Sequence, residues 1–323
     1  MAQTNRGDRW VLLGTGGTIA GRAAHSTDNV GYVAGQVGVA ELLAAVPALG
    51  GLPLDVEQVA QVDSKDMGMA VWQALVRRIA AHLERPEVRA VIVTHGTDTL
   101  EETAFLLHEV LRPAKPVVLT CAMRPSTALV ADGPQNLSDA VSVARHADLS
   151  GVLVVCAGKV HGARDVAKVH TYRLDAFDSG DAGPLAVVEE GAVRMFRSCE
   201  RPGPSRPLNT EAVMQFLNAL ELPRVELVTS HADADGSQIR GMLAIQGARP
   251  LRGIVVAATG NGTVHHALAQ ALQEAQAQGV WIRLASRCAN GRVVPHPGLL
   301  FDEAGGLSPV KARLALALQL LEA

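Results

Sequence analysis

Val91-Ile92-Val93-Thr94-His95-Gly96-Thr97-Asp98-Thr99-Leu100-Glu101-Glu102-Thr103 begins as a run of β-branched residues, bends through a polar turn and enters a helical pattern. A short, unbroken apolar run of this kind reads as a strand buried on both faces, the situation of a parallel sheet whose crossovers are helices. Working outward, Trp10-Val11-Leu12-Leu13 has the same character and runs directly into a glycine-rich turn. Further strand candidates lie at residues 56–62, 90–94, 116–120, 151–156, 224–229, 253–257 and 280–284. Helix candidates fall between them at residues 39–45, 69–83, 99–111, 134–145, 210–219, 264–278 and 309–320. In the second of these, Val71, Ala74, Leu75, Ile79 and Leu83 share one stripe, a buried face that needs no ligand to explain it. The alternation predicts an α/β chain.

Residues 194–209 break the alternation, with Pro202, Pro204 and Pro207 and no apolar period. The reading is a first domain over residues 1–195, a linker over 196–209 and a smaller α/β domain over 210–323. A length of 323 residues suits two such units of roughly 100–200 residues. Lys and Arg number 29 against 32 Asp and Glu, a formal charge of −3, and aromatic residues make up 3% of the chain. With no basic run to displace counterions and few rings on which bases could stack, nucleic acid is not an expected partner. The cysteines Cys121, Cys156, Cys199 and Cys288 show no CxxC spacing, so a reduced, metal-free set is expected. No apolar run approaches the ~18 residues of a membrane span, and residues 10–13 are too short for a signal-peptide core. The expectation is a cytoplasmic protein without a membrane partner.

Two turns carry reactive groups. Gly14-Thr15-Gly16-Gly17-Thr18-Ile19-Ala20-Gly21 follows the first strand, but Ile19 stands where a dinucleotide-binding G-x-G-x-x-G/A turn needs a small residue. No GK[ST], HExxH or G-x-S-x-G occurs. What remains is a bend whose glycines let a substrate approach Thr15 and leave backbone N–H groups free to donate. The second turn offers Thr97 and Asp98 at the carboxyl end of another strand, where open parallel sheets bind ligands. Helix capping by Thr97 or Asp98, completed by Glu101 or Glu102, is the alternative reading. Lys168, in Arg164-Asp165-Val166-Ala167-Lys168, would act as a general base if it were drawn in beside Thr97 and Asp98. Hydroxyl, carboxylate and amine would then follow the logic of a catalytic triad.

Taken together these stretches resemble the bacterial-type L-asparaginase/glutaminase amidohydrolases. Further motifs agree in order: Ala122-Met123-Arg124-Pro125-Ser126, Asp132-Gly133-Pro134-Gln135-Asn136-Leu137 and Pro309-Val310-Lys311-Ala312-Arg313. The resemblance implies a larger N-terminal flavodoxin-like domain, a smaller C-terminal α/β domain and a homotetramer built from intimate dimers. It implies that Thr15 is the nucleophile and that Tyr32, on a mobile loop over residues 22–33, closes the site and helps polarise it. Thr97, Asp98 and Lys168 would assist proton transfer or orient water. The N–H groups of Thr15 and Thr97 would hold the oxyanion, and the Ala122 carbonyl would accept from the leaving amide. Ser64 would take the substrate α-carboxylate, with Gly14 and Gly96 also among the substrate-binding residues. No cofactor and no metal is implied.

Two departures from the family pattern concern the substrate's α-ammonium. Lys65 stands where the family usually has Gln, and residues 288–297 contain no acid, the next being Asp302 and Glu303. Asp98 remains, with Asn261 or Thr263 expected to contribute from a neighbouring subunit. In one reading Lys65 faces solvent and the chain hydrolyses L-asparagine, or L-glutamine, to the acid and ammonia. In the other the pocket prefers an ω-amide whose α-amino group is absent, acylated or differently placed, such as succinamate or D-asparagine, with Lys65 binding an extra carboxylate or carbonyl of that substrate. A non-catalytic amino-acid-binding homologue is a third class, disfavoured because binding alone does not require two hydroxyls with separate bases. His95, His161, His170, His265 and His266 read as surface or packing residues.

Overall fold

A computed structural model describes residues 7–199, 210–245, 247 and 249–322. The chain forms two compact units, Met1–Leu217 and Asn218–Ala323.

The first unit is built on β1 (Arg9–Gly16), α1 (Val39–Ala44), β2 (Leu54–Val62), α2 (Met69–Leu83), β3 (Val88–Thr94), α3 (Leu100–Leu111), β4 (Val117–Thr120), α4 (Gly133–Ala144) and β5 (Val152–Cys156). These strands pair in parallel in the order β2-β1-β3-β4-β5. Trp10, Leu12, Ala90, Ile92, Val118, Leu153 and Val155 face α1 and α4 and form one core with Val39, Leu137, Ala140 and Val143. The alternate residues Val11, Leu13, Val91, Val93, Val117 and Leu119 are also fully buried, on the side of α2 and α3. Both faces are therefore dry, which is why these strands read as unbroken apolar runs. Each fully buried Leu or Ile here stabilises the unit by about 1.5–3 kcal/mol through removal from water.

The strand order sets the site. Beyond β1 the chain winds to β2 on one side, then crosses to β3 on the other, so the connections diverge between β1 and β3. Such a divergence leaves a crevice beyond the carboxyl ends of the two strands, where ligands bind in open α/β sheets.

All the strands and helices read from sequence are present, with ends displaced by a few residues. Missing from that reading are β6 (Lys159–Gly162), β7 (Ala167–Lys168), β8 (Phe177–Asp178), β9 (Ala186–Glu189) and β10 (Ala192–Met195). Of these, β6, β9 and β10 extend the sheet to eight strands by antiparallel pairing. Ala157 and Gly158 between β5 and β6, and Glu190 and Gly191 between β9 and β10, all have positive φ, the backbone of a tight two-residue hairpin. The stretch read as irregular from residue 194 stays ordered at its start. Arg194 and Met195 pair with β9, Phe196 N–H donates to the Leu185 carbonyl, and Cys199 is buried. The remainder of the expected linker, residues 200–209, lies outside the described residues. Helix α5 (Thr210–Asn218) groups through Leu217 with the first unit, where Gln73 Nε2 donates to the Phe216 carbonyl at 3.0 Å.

The second unit is a parallel sheet of β11 (Arg224–Thr229), β12 (Leu251–Ala258) and β13 (Trp281–Ser286). Helices α6 (Ser237–Ala244), which the sequence reading missed, and α7 (His266–Ala277) cover one face, burying Ile239, Leu268 and Leu272 against Ile254, Val256 and Ile282. Helix α8 (Pro309–Glu322) covers the other, with Ala312, Leu316 and Ala317 against Val225 and Val255.

Candidate active site

Three turns meet at the carboxyl edge of the large sheet. Gly16, which ends β1, and Gly17, which follows it, have φ of 103° and 78°, and Gly17 N–H donates to the Val62 carbonyl at 2.9 Å. A β-carbon on Gly17 would overlap Gly96 Cα and N, and one on Gly96 would lie 2.5 Å from Ser64 Oγ. The glycines are there because the turns after β1 and β3 touch backbone to backbone, and the Ser64 side chain from the turn after β2 packs directly on Gly96. Gly14 serves packing instead: a β-carbon there would lie 2.7 Å from Val39 Cβ and 2.8 Å from Gln58 Nε2.

That contact brings the two threonine turns together. Thr15 is buried at the end of β1, and its hydroxyl donates to the Thr94 carbonyl on β3 at 2.9 Å. Thr97 and Asp98 do not cap α3; Thr99 holds that position, and its hydroxyl donates to the Ser64 carbonyl at 2.7 Å. Thr97 and Asp98 are thereby free for Lys168, whose Nζ donates to Thr97 Oγ1 at 2.8 Å and to Asp98 Oδ1 at 2.7 Å. The Lys168 side chain is 17% exposed and that of Asp98 53%, so the amine is sheltered and the carboxylate reaches the mouth. Lys168 ends β7, and the turn leading into that strand is pinned through Asp165, which accepts from Arg197 Nη2 at 2.8 Å. Arg197 is a supporting residue that sequence reasoning missed, because its partner lies 32 residues away.

Ser64 is buried at the end of β2, its hydroxyl accepting from Asp98 N–H at 3.1 Å. Lys65 turns outward. Its Nζ donates to Asp66 at 2.6 Å and pairs with Asp63 at 3.2 Å, with 61% of the side chain exposed. These carboxylates hold the Lys65 ammonium above its ordinary range, Asp66 most strongly.

Tyr32 packs its ring on Gly21, where a β-carbon would lie 2.8 Å from Cδ2. Its hydroxyl is 2.6 Å from Thr18 Oγ1; the phenol's recorded partner is thus Thr18, while Thr15 is engaged with Thr94. Burial, reinforced by the charges of Asp98 and Asp63, raises the Tyr32 phenol above its usual value, and the bond to Thr18 only partly offsets this. Tyr32 is therefore a neutral phenol at physiological pH, suited to relaying a proton rather than storing negative charge. The loop over residues 22–33 is closed at its base, where Arg22 and Val33 exchange N–H···O bonds of 3.0 and 2.9 Å. Ser126 and Leu129 N–H donate to the Gly21 and Ser26 carbonyls and tie it down further.

Ala122 is fully buried in the turn after β4. His95, the first residue beyond β3, is buried too, and its Nδ1 bonds the Gly96 carbonyl at 2.7 Å. Burial lowers the His95 imidazole to about 4, keeping it neutral. Asn261 belongs to the other unit, where its amide donates to the Val294 carbonyl at 3.2 Å and accepts from Val294 N–H at 2.6 Å. The described geometry thus joins Thr15, Thr97, Asp98, Lys168, Ser64 and Gly96 within one unit. A buried hydroxyl on a glycine-bordered bend, and a second hydroxyl joined to an amine and a carboxylate, is equipment for acyl transfer.

Residues 9–201 match the family model "Asparaginase, N-terminal" and residues 224–322 match "Glutaminase/Asparaginase C-terminal domain". The chain is 36% identical to the glutaminase-asparaginase of Pseudomonas fluorescens biotype A, over 94% of this chain and 84% of that protein. It is 34% identical to L-asparaginase 2 of Escherichia coli strain K12, over 97% and 88% respectively. Among solved structures it is similar to a probable cytoplasmic L-asparaginase from Campylobacter jejuni, with a TM-score of 0.86 and 34% identity, covering 98% of this chain and 96% of that one.

Proposed function

The chain belongs to the asparaginase family of amidohydrolases, and on that premise we propose that it converts L-asparagine to aspartate and ammonia through Thr15. The observation that carries the reading is the meeting of the Thr15 turn with the Thr97–Asp98–Lys168 cluster across Gly17 and Gly96. Thr15 Oγ adds to the side-chain amide carbon, and the oxyanion is held by the N–H groups of Thr15 and Thr97. Pre-aimed donors of this kind are worth about 3–4 kcal/mol each in the transition state. The Thr15 proton passes by way of the Tyr32 phenol to the departing nitrogen, the C–N bond breaks, and ammonia leaves from beside the Ala122 carbonyl. Water then attacks the aspartyl ester, oriented by Thr97 with Lys168 and Asp98, and Thr15 regains its proton.

Ser64 binds the α-carboxylate and Asp98 the α-ammonium. Lys65, spent on Asp63 and Asp66, does not oppose that ammonium directly. This favours an ordinary amino-acid amide over one that lacks or masks the amino group. L-Glutamine is the natural second substrate to compare. The working particle we propose is a homotetramer in the cytoplasm, with Asn261 supplied to the site of a neighbouring subunit; among the described residues no helix is long and apolar enough to cross a membrane.

Steady-state kinetics on L-asparagine, L-glutamine, D-asparagine and succinamate test the reading. A kcat/KM for L-asparagine far above that for succinamate supports it, since buried polar partners discriminate by up to ~10⁴-fold. Equal or better turnover of succinamate contradicts the assigned substrate.

A further inference from the structure

We propose that Asp132 and Asn136 are positioning residues whose task is to aim the Ala122 carbonyl at the leaving amide. The proposal rests on the amide-hydrolase reading above and assigns a part of its machinery to residues outside the pocket.

Asp132 occupies the N-cap of α4, where an aspartate ordinarily accepts from its own helix's first N–H groups. Here it makes no such bond, and its backbone is helical rather than extended, with φ of −90° and ψ of −15°. Its carboxylate reaches back to the turn after β4, where Oδ2 accepts from Met123 N–H at 2.9 Å and Oδ1 from Arg124 N–H at 3.0 Å. Asn136, one helical turn on, donates from Nδ2 to the Cys121 carbonyl at 2.9 Å and to Asp132 Oδ2 at 3.2 Å, while its Oδ1 accepts from Ala157 N–H at 2.9 Å. Ala122 is thus gripped from both sides.

The orientation follows from peptide geometry. The Met123 N–H and the Ala122 carbonyl belong to one planar trans unit and point in opposite directions. Fixing that N–H on Asp132 turns the carbonyl away from α4. The spacing D-G-P-Q-N carries the same logic. A β-carbon on Gly133 would lie 2.9 Å from Ile19 Cγ1, so glycine lets the helix start sit against the turn that follows β1, while Ala122 Cβ, at 3.5 Å, would be in ordinary contact. Pro134 has no N–H that the diverted Asp132 would leave uncapped.

A carbonyl that accepts from the departing NH₂ matters only when the leaving group has an N–H. The test compares kcat/KM for L-asparagine with that for the β-methyl ester of L-aspartate, whose leaving methoxide has none. kcat/KM reports every step through acylation, whichever later step limits kcat. Asp132→Asn keeps the shape but loses one acceptor. Asp132→Ser frees both N–H groups while giving α4 a preferred cap, so it guards against a folding defect. Both variants are expected to lose about tenfold to a hundredfold on the amide and less than threefold on the ester. Parallel loss on both substrates, whether from misfolding or from any other cause, or no loss on either, overturns the positioning role. Wild-type protein that cleaves neither substrate would instead overturn the underlying hydrolase reading.

Discussion

Lys168 shares its amine between Thr97 Oγ1 and Asp98 Oδ1, and in the proposed mechanism proton handling turns on it. Lys168→Met should lower kcat/KM for L-asparagine by about 10²–10⁴, the usual scale for removing a proton-transfer group. Because hydroxyl and amine act as one unit, Thr97→Val should cost about as much and the double variant little more. Multiplying losses in ammonia-release assays would show the two acting separately. Lys65 offers the opposite case. Tied to Asp66 and Asp63 on the surface, it should tolerate Lys65→Gln with less than about a threefold change in kcat/KM, as exposed ion pairs contribute little. At this scale the sequence singles out candidate side chains and conceals how they pair. The hydroxyls and Lys168 stand out in their turns, but Thr18 as the partner of Tyr32, and Arg197 beneath Asp165, depend on contacts between distant segments. The helix N-termini show how cap positions are diverted to other partners. Thr99 and Asp132 sit where a cap belongs, yet Thr99 serves the Ser64 carbonyl and Asp132 the Met123–Arg124 turn.

Between elements, the decisive contact is Gly17 on Gly96. Gly17→Ala would force a β-carbon into the Gly96 backbone at a φ of 78° that alanine disfavours. Overpacking and the left-handed backbone each cost on the order of 1–3 kcal/mol. A urea titration should therefore show at least about 2 kcal/mol of lost stability, and activity should fall with it. An unshifted midpoint would mean that the turns meet less closely than described. Elements buried on both sides were legible because their apolar runs are unbroken, as in β1, β3, β4 and β5. The antiparallel margin was not. β6, β9 and β10 are only four residues each, and their hairpins use Ala-Gly and Glu-Gly in place of the more recognisable Asn-Gly or Asp-Gly. The short helix α6, of eight residues, lacks a side-chain cap that would announce it.

For the whole molecule, His95 links folding to pH. Its imidazole titrates near 4 when buried and near the ordinary 6.5 when the chain unfolds. Between those values the unfolded chain binds a proton that the native one refuses. This part of the stability is complete above pH 6.5 and drains away toward pH 4, by about 3 kcal/mol. His95→Gln should show a correspondingly flatter urea-derived stability across that window, and an identical pH slope in both proteins would refute the assignment. The same fold places the reactive hydroxyls at the divergence between β1 and β3, and the account's central claim is that Thr15 is the one esterified. Denaturing quench during turnover of L-asparagine, followed by peptide mapping in the mass spectrometer, measures this directly. The account predicts an aspartyl adduct on the peptide bearing Thr15, absent from Thr15→Ala; an adduct on Thr97, or one that persists in Thr15→Ala, would contradict it.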